Sequence, residues 1–440
     1  MQQVTSWVDL EGKKVVLWGY GVEGKATQEL IGDSVAELII VDDGLAQESD
    51  KILTFAEAKD KLESCDVVIK SPGISRYDEQ FLELSQKTTI VGATGLWLNG
   101  VDRDKVICVT GTKGKSTTSA LCAEILSSLG HDVCLAGNIG EPAWASPADQ
   151  EWDYWVVETS SFQVMDIQLG PKVVALTSLH SDHLPWHKEP EQYFSDKLGI
   201  TKREGVERLV FNSDDENLAI RPEVTGFAGV SRATSNQDIV SIPQEEMSLR
   251  GSHNRSNAAL AIAAVEALTG EVNLVNNPVV TGAITDFEGL AHRFQTVASA
   301  AGVDFINDSL STNPLPTMAA LTALEGETVA LIIGGFDRGV DQSDLIDFLA
   351  TRGEEIKLAC IPDTGKDIAA QLLEREIDAT VIEYPDLETA TTGCFGWVSS
   401  AGGGVVLLSP AAASFNAFSN YRERGDRFAQ VALSLVAKLN

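Results

Sequence analysis

Residues Lys105-Val-Ile-Cys-Val109 form an apolar run that breaks into Gly111-Thr-Lys-Gly-Lys-Ser-Thr117, after which Thr117 to Leu129 reads as a helix. A buried strand that feeds a glycine turn and then a helix is the repeating unit of parallel α/β sheets. The turn also implies a chemistry. Backbone N–H groups at a helix N-terminus bind phosphate oxygens. Gly111, Thr112, Lys113 and Gly114 therefore form a phosphate cradle, with Lys115 reaching the terminal phosphates and Ser116 or Thr117 ligating magnesium. The first glycine stands three residues before the second, a departure from the common GxxxxGK[ST] spacing. The competing reading is a glycine turn with incidental lysines, which leaves two lysines and two hydroxyls at the end of a strand unexplained.

The same alternation recurs along the chain. Lys14-Val-Val-Leu-Trp18, Leu38-Ile-Ile-Val41 and Val67-Val-Ile69 read as strands in the first stretch. Trp155-Val-Val157 and Val173-Val-Ala-Leu176 follow in the second, with a helix over Asn257 to Leu268. Val303-Asp-Phe-Ile306, Val329-Ala-Leu-Ile-Ile333, Lys357-Leu-Ala-Cys-Ile361 and Gly404-Val-Val-Leu-Leu408 make up the third. Three α/β domains are expected, over 1–95, 96–285 and 286–440.

Composition narrows the partners. The formal net charge is −31, which argues against nucleic acid or anionic lipid as a partner, since both need basic surface. A small anionic ligand stays open to a local positive pocket. The six cysteines are scattered without CxxC spacing, so neither a zinc site nor a disulfide framework is indicated. No apolar stretch is long enough to cross a bilayer and the first residues lack the pattern of a signal peptide. A cytoplasmic monomer with reduced thiols is the expectation.

Further motifs gather at strand ends. Gly19-Tyr-Gly21-Val-Glu-Gly24, with Asp42 after the next strand, fits a dinucleotide fingerprint. It could take NAD, another nucleotide's diphosphate, or nothing beyond a tight turn. Glu158, in Val157-Glu-Thr-Ser160-Ser-Phe-Gln163, is placed for magnesium, a hard ion that prefers oxygen; a helix start capped by Ser160 is the plainer reading. His180-Ser-Asp182-His183-Leu-Pro-Trp186-His187 packs three of the six histidines together. Zinc is one reading, but no cysteine joins and the spacing is not HExxH, so histidine beside a magnesium–phosphate centre fits better. Lys197 taken alone is a surface lysine. Arg293 suits bidentate phosphate contact, Asp308 a base or sugar, and Gly334-Gly-Phe-Asp-Arg338-Gly339 carries a cation on a glycine loop.

Taken in order, these motifs resemble the Mur ligase family, enzymes that build the peptidoglycan stem peptide one amino acid at a time. The resemblance covers nearly the whole chain. It rests on Gly111 to Thr117, Glu158-Thr-Ser-Ser-Phe-Gln163, Asp182-His-Leu184, Gly251-Ser-His-Asn254 with Asn257, His292-Arg-Phe294, Asn307-Asp-Ser309 and Leu408-Ser-Pro-Ala-Ala-Ala-Ser414. The glutamate-adding members fit best, through Ser71-Pro-Gly73, Gly137-Asn138-Ile-Gly140, Tyr421 and Arg424-Gly425. The resemblance implies a Rossmann-like N-terminal domain, a central P-loop ATPase domain and a Rossmann-like C-terminal domain. It implies an ATP- and magnesium-dependent ligase that joins glutamate to UDP-N-acetylmuramoyl-L-alanine through an acyl phosphate. Two magnesium sites are implied, with Ser116, Glu158, His183 and a carbamylated Lys197 as ligands. Lys115, Glu158, His183 and Lys197 become the catalytic set. Asn254, Arg293 and Asp308 join the cradle as ATP contacts. Gly19, Gly21, Val22, Asp42, Ser71, Pro72, Gly73, Asn138, Ser160 and Gln163 would hold the UDP substrate. Thr312, Arg338, Ser414 and Tyr421 would hold glutamate.

Three positions depart from the D-glutamate pattern. Leu310 and Arg338 stand where lysines are usual, and Tyr421 where phenylalanine is usual. Arginine does not replace lysine neutrally. A branch of the family adds L-glutamate, so the enantiomer stays open. The rivals are a folylpolyglutamate-type ligase, a nonligating nucleotide-binding regulator of the same fold, and a dinucleotide-dependent oxidoreductase, in which the second phosphate loop has no task.

Overall fold

The computed structural model describes residues 4–46, 51–145, 150–249, 251–337, 340–352, 356–375, 380–414 and 417–439. It is a mixed α/β chain with three sheets. By compactness the chain forms two units, Met1–Phe287 with the first two sheets and Glu288–Asn440 with the third. The helix Ala93–Gly100 runs through the expected division at residue 95.

The first sheet contains β1 (Lys14–Trp18), β2 (Glu37–Val41), β3 (Ile52–Leu53), β4 (Val67–Lys70) and β5 (Thr89–Gly92), ordered β3-β2-β1-β4-β5. Every pairing is parallel. The chain leaves β1 for β2 on one side and returns to β4 on the other. That reversal opens a crevice at the carboxyl end of β1, where open α/β sheets bind ligands. Gly19 lies in that crevice at φ +93, and a Cβ there would sit 2.4 Å from the Cβ of Ser71.

The second sheet contains β6 (Val106–Thr110), β7 (Val133–Gly137), β8 (Tyr154–Glu158), β9 (Val173–Leu176), β10 (Arg208–Asn212) and β11 (Val230–Thr234). The order is β11-β10-β9-β6-β8-β7, again all parallel. β6 is buried along its whole length. It lies between β8 and β9, so the loop after β6 faces the carboxyl ends of both neighbours. The helix Lys115–Ser128 starts directly after Gly114, two residues before Thr117. It packs against Ser252–Thr269, whose residues Ser256 to Val265 are all buried. Such all-round burial explains the alanine run there, since small side chains let helices approach closely.

The third sheet contains β12 (Gln295–Ala300), β13 (Val303–Asn307), β14 (Val329–Ile333), β15 (Ile356–Cys360), β16 (Thr380–Glu383) and β17 (Gly404–Leu408), ordered β12-β13-β17-β14-β15-β16. β12 runs antiparallel to β13; the other pairings are parallel. Edge strands were the hardest to foresee. β11 is exposed at four of five positions and β16 is mostly exposed, so neither carries the apolar run that betrays a central strand.

Candidate active site

The loop after β6 owes its shape to two glycines. Gly111 has φ +147, and a Cβ would lie 2.0 Å from Thr177 Oγ1; Gly114 has φ +85, and a Cβ would lie 2.5 Å from Asn257 Oδ1. Side chains around the turn lock it. Thr112 Oγ1 donates to the His180 carbonyl at 2.9 Å and lies 2.9 Å from the Tyr193 hydroxyl. The Lys113 N–H donates to Ser178 Oγ at 2.8 Å. Lys115 Nζ folds back to the Thr112 carbonyl at 3.0 Å. Lys115 and Thr117 thus open the helix whose N-terminus the cradle presents.

Glu158 ends β8 in register with Val109 of β6 and Gly137 of β7. Its carboxylate is buried, takes a hydrogen bond from the Ser116 hydroxyl, and accepts Asn138 Nδ2 at 2.7 Å. A serine hydroxyl from the first turn of the helix after β6 and a carboxylate from the end of the adjacent β8 therefore meet beside the phosphate loop. These hard oxygen donors suit magnesium, which takes one or two protein oxygens plus water and phosphate.

Lys197 is not on the surface. It is 2% exposed, and Nζ donates to the Gly111 carbonyl at 2.8 Å. Burial, reinforced by the Lys115 cation, holds its pKa well below the ordinary lysine value, against the opposing pull of Asp182 and Glu158. The three clustered histidines diverge. His180 pairs with Asp215 at 3.2 Å, His183 lies 3.8 Å from Asp182, and His187 lies 2.6 Å from Asp196. A zinc site shared by all three is not formed. Among the described residues no three His, Cys, Asp or Glu side chains are placed to hold one ion. His183 has φ +52, and burial lowers its pKa while Asp182 works the other way.

The glycine fingerprint after β1 is open. Gly21 and Val22 are exposed, Val22 at 62%. Asp42 braces this turn: Oδ2 accepts the Tyr20 N–H at 2.8 Å, and Oδ1 accepts the N–H groups of Gly44 and Leu45. The Ser71-Pro-Gly73 segment lies against Gly19, and the Pro72 carbonyl accepts the Trp186 indole N–H at 3.2 Å. Ser160 and Gln163 form a capping box on the helix Ser161–Val164. Gln163 then reaches on to Glu23 Oε1 at 2.6 Å.

Sequence reasoning missed that last partner and what surrounds it. Among the described residues Glu23 Oε2 is buried without a hydrogen-bond partner, and burial raises the carboxyl to about 7. Close by, Asp166 takes Lys70 Nζ on one oxygen and the Arg76 guanidinium on the other, each at 2.8 Å. Lys70 at the end of the otherwise apolar Val67-Val-Ile-Lys70 was the available signal.

In the second unit, Asp308 directly follows β13 and is buried. It accepts the Phe294 N–H at 3.1 Å and the hydroxyls of Ser311 and Ser409. Burial nonetheless raises its carboxyl to about 6. Arg293 is partly exposed beside it. Tyr421 opens the helix Tyr421–Ala437, and its carbonyl accepts Ser309 Oγ at 2.8 Å. Thr312 is half-buried and Ser414 buried. The Leu310 N–H donates to the His292 carbonyl at 2.9 Å. Asn254, in the first unit, is buried and accepts Asn257 Nδ2 at 3.2 Å. Arg338 lies outside the described residues.

Parallel sheets whose central strand feeds a lysine-bearing glycine turn, with a carboxylate on the next strand end, are the arrangement found in P-loop nucleotide-binding proteins. The comparisons with known proteins carry this further. The Mur ligase middle domain matches residues 109–265. The UDP-N-acetylmuramoyl-L-alanine–L-glutamate ligase of Salinispora tropica is 33% identical over 96% of this chain and 98% of its own length. The ligase of that name from Xanthomonas euvesicatoria pv. vesicatoria is 36% identical, covering 96% of each chain. The chain belongs to the Mur ligase family. Among solved structures, the MurF ligase of Thermotoga maritima in complex with ADP aligns with a TM-score of 0.57 at 15% identity, over 99% of this chain and 98% of that one. The UDP-N-acetylmuramate–alanine ligase MurC of the same organism aligns at 0.55 and 17%, over 97% and 100%. These two speak for the fold.

Proposed function

We propose that this chain is an ATP-dependent ligase that joins L-glutamate to the alanyl carboxylate of UDP-N-acetylmuramoyl-L-alanine. The observation that carries the reading is the meeting of Ser116, Glu158 and Asn138 beside the lysine-bearing phosphate loop. The relatives that share 96% of the chain bear names stating this activity with the L-enantiomer. The departures at Leu310 and Tyr421 agree with that choice.

A carboxylate is a poor electrophile at neutral pH, so it must be activated. Transfer of the γ-phosphoryl group to a carboxylate oxygen breaks the β–γ bridge, releases ADP and leaves an acyl phosphate. The glutamate amine attacks the acyl carbon, and the tetrahedral adduct expels inorganic phosphate as the amine sheds its proton. Phosphoryl transfer is catalysed mainly by positioning and charge neutralisation. The N–H groups of Gly111 to Gly114 and the Lys115 ammonium supply both to the phosphates, with Asn254, Arg293 and Asp308 as further ATP contacts. Asn138 keeps the Glu158 carboxylate aimed.

Ser116 and Glu158 would hold magnesium, which offsets phosphate charge when bound. His183 and a carbamate on Lys197 would serve a second ion. The neutral amine is the form that adds carbon dioxide, gaining an N–C bond and releasing one proton, and burial shifts Lys197 toward it. Gly19, Gly21, Val22, Asp42, Ser71 to Gly73, Ser160 and Gln163 would hold the UDP substrate, and Thr312, Arg338, Ser414 and Tyr421 the glutamate. The division 1–95, 96–285 and 286–440 follows these three tasks.

Phosphate release should require ATP, magnesium, UDP-N-acetylmuramoyl-L-alanine and L-glutamate together. D-glutamate run in parallel decides the enantiomer. No release with either would sink the reading.

A further inference from the structure

The short helix Ser161–Val164 begins three residues after Glu158. Its first side chain enters a buried chain of hydrogen bonds. Ser161 Oγ lies 2.9 Å from His187 Nε2, and His187 Nδ1 lies 2.6 Å from Asp196 Oδ2. Asp196 also accepts the Tyr77 hydroxyl at 2.8 Å and Gln192 Nε2 at 2.7 Å. Ser161, His187 and Asp196 are buried, His187 completely. The His187 ring stacks on Phe162 at 5.5 Å and meets the Tyr193 ring edge-on at 5.1 Å.

Serine, histidine and aspartate in this order form the hydrogen-bond pattern of an acyl-transfer triad. Ser161 is 2% exposed in the first turn of a helix, so an acyl carbon has no approach to its hydroxyl. The chain of bonds has a different use. One end is tied to the segment that carries Glu158. The other end, Asp196, directly precedes Lys197 on the helix Pro190–Leu198. The ring that joins them is flat and stiff, and its two nitrogens point along opposite edges.

We propose that His187 is a positioning residue that sets the spacing between Glu158 and Lys197 and so tunes the affinity of this site for a divalent metal–nucleotide pair. The proposal rests on the reading that Glu158 and Lys197 each face one of the two metal ions of this site. Partners bonded directly to a metal ligand change affinity about 10–100-fold when lost; His187 bonds the sequence neighbours Ser161 and Asp196, so its effect passes through the backbone and is smaller. Asp196 keeps two other donors without the ring, so its carboxylate would not be orphaned.

The test is Mn²⁺ titration with a nonhydrolysable ATP analogue, followed by the loss of the free-ion electron paramagnetic resonance signal. Wild type, His187→Phe and Ser161→Ala are compared. His187→Phe keeps a ring against Phe162 and Tyr193 but neither nitrogen. It should weaken Mn²⁺ binding by about three- to tenfold, while metal-free binding of the analogue stays within roughly twofold. Ser161→Ala should weaken Mn²⁺ binding by about threefold or more, by the same argument; it decides the matter if His187→Phe does not fold. Mn²⁺ binding equal to wild type in the folded variants overturns the proposal. So does a parallel loss of metal-free binding, which marks general damage. Absence of nucleotide-dependent Mn²⁺ binding in the wild type would instead refute the metal assignment on which the proposal rests.

Discussion

Asp166 joins two cations in the first unit, and its replacement by asparagine should be costly. Lys70 is fully buried, Asp166 is 1% exposed, and their charged atoms lie 2.8 Å apart. With an effective dielectric near 20, unit charges at that distance attract by about 6 kcal/mol. Desolvation of the buried pair takes back much of this, yet removal of one partner strands the other charge, at a cost of about 3–5 kcal/mol. Arg76 is a third exposed and contributes little through screened contact. The backbone approaches Asp166 closely: a Cβ on Gly92 would come within 2.4 Å of the Asp166 Cβ, and one on Gly95 within 2.3 Å of its carbonyl oxygen. Lys70→Met strands the Asp166 carboxylate in the same way, with only the part-exposed Arg76 left to it, and should likewise cost about 3–5 kcal/mol. In that background Asp166→Asn should cost about 0.5–3 kcal/mol less than it does in the wild type, the coupling typical of contacting residues. Urea unfolding followed by tryptophan fluorescence measures all three, because only Trp397 of the eight tryptophans lies outside the first unit. An Asp166→Asn cost below about 1 kcal/mol, or an equal cost in both backgrounds, would refute the buried-pair argument.

Three further outcomes are expected. The folded chain holds the Glu23 carboxyl near 7 against 4.5 for an unperturbed group, so it binds this proton more tightly than the unfolded chain does. That stabilisation is complete below pH 4.5 and is lost as pH rises to about 7, by about 3 kcal/mol in all. Glu23→Gln should flatten the slope in urea melts at pH 5 to 8, and an unchanged slope would count against it. Gly114→Ala forces φ +85 on a Cβ that meets Asn257; the left-handed strain alone is about 1–2 kcal/mol. Calorimetry should show ATP binding at least about tenfold weaker, whereas wild-type affinity would contradict the close approach. Lys115→Ala should lower phosphate release by about 10²-fold or more in a coupled assay, and near-normal turnover would remove the loop from the mechanism.

The central strands were legible because they are buried on both faces and read as continuous apolar runs. β6, β9 and β14 lie where Lys105 to Val109, Val173 to Leu176 and Val329 to Ile333 led one to expect them. β12 was not legible: Gln-Thr-Val-Ala-Ser-Ala is half-exposed at an edge, and it pairs antiparallel to β13. The phosphate loop was legible because its chemistry lies within seven consecutive residues. The Ser161–His187–Asp196 chain was not, because its members are spread over 36 positions and meet only through the fold. Lys197 shows the limit most plainly. A lone lysine in Tyr193-Phe-Ser-Asp-Lys-Leu198 reads as surface, and only helix packing against the Gly111 carbonyl turns it inward.

The exposed outer strands have a colloidal consequence. β11 is an edge strand of its sheet, and an edge is a template on which another chain can add a strand. The strand is five residues long, and Arg232 at its middle is tied to Glu266. A second defence is the net charge of −31, which makes copies repel at a distance. Salt shortens that repulsion to within a Debye length, and acid near the isoelectric point of about 4.5 cancels it. Under either condition the short length and tethered arginine of β11 must guard that rim alone.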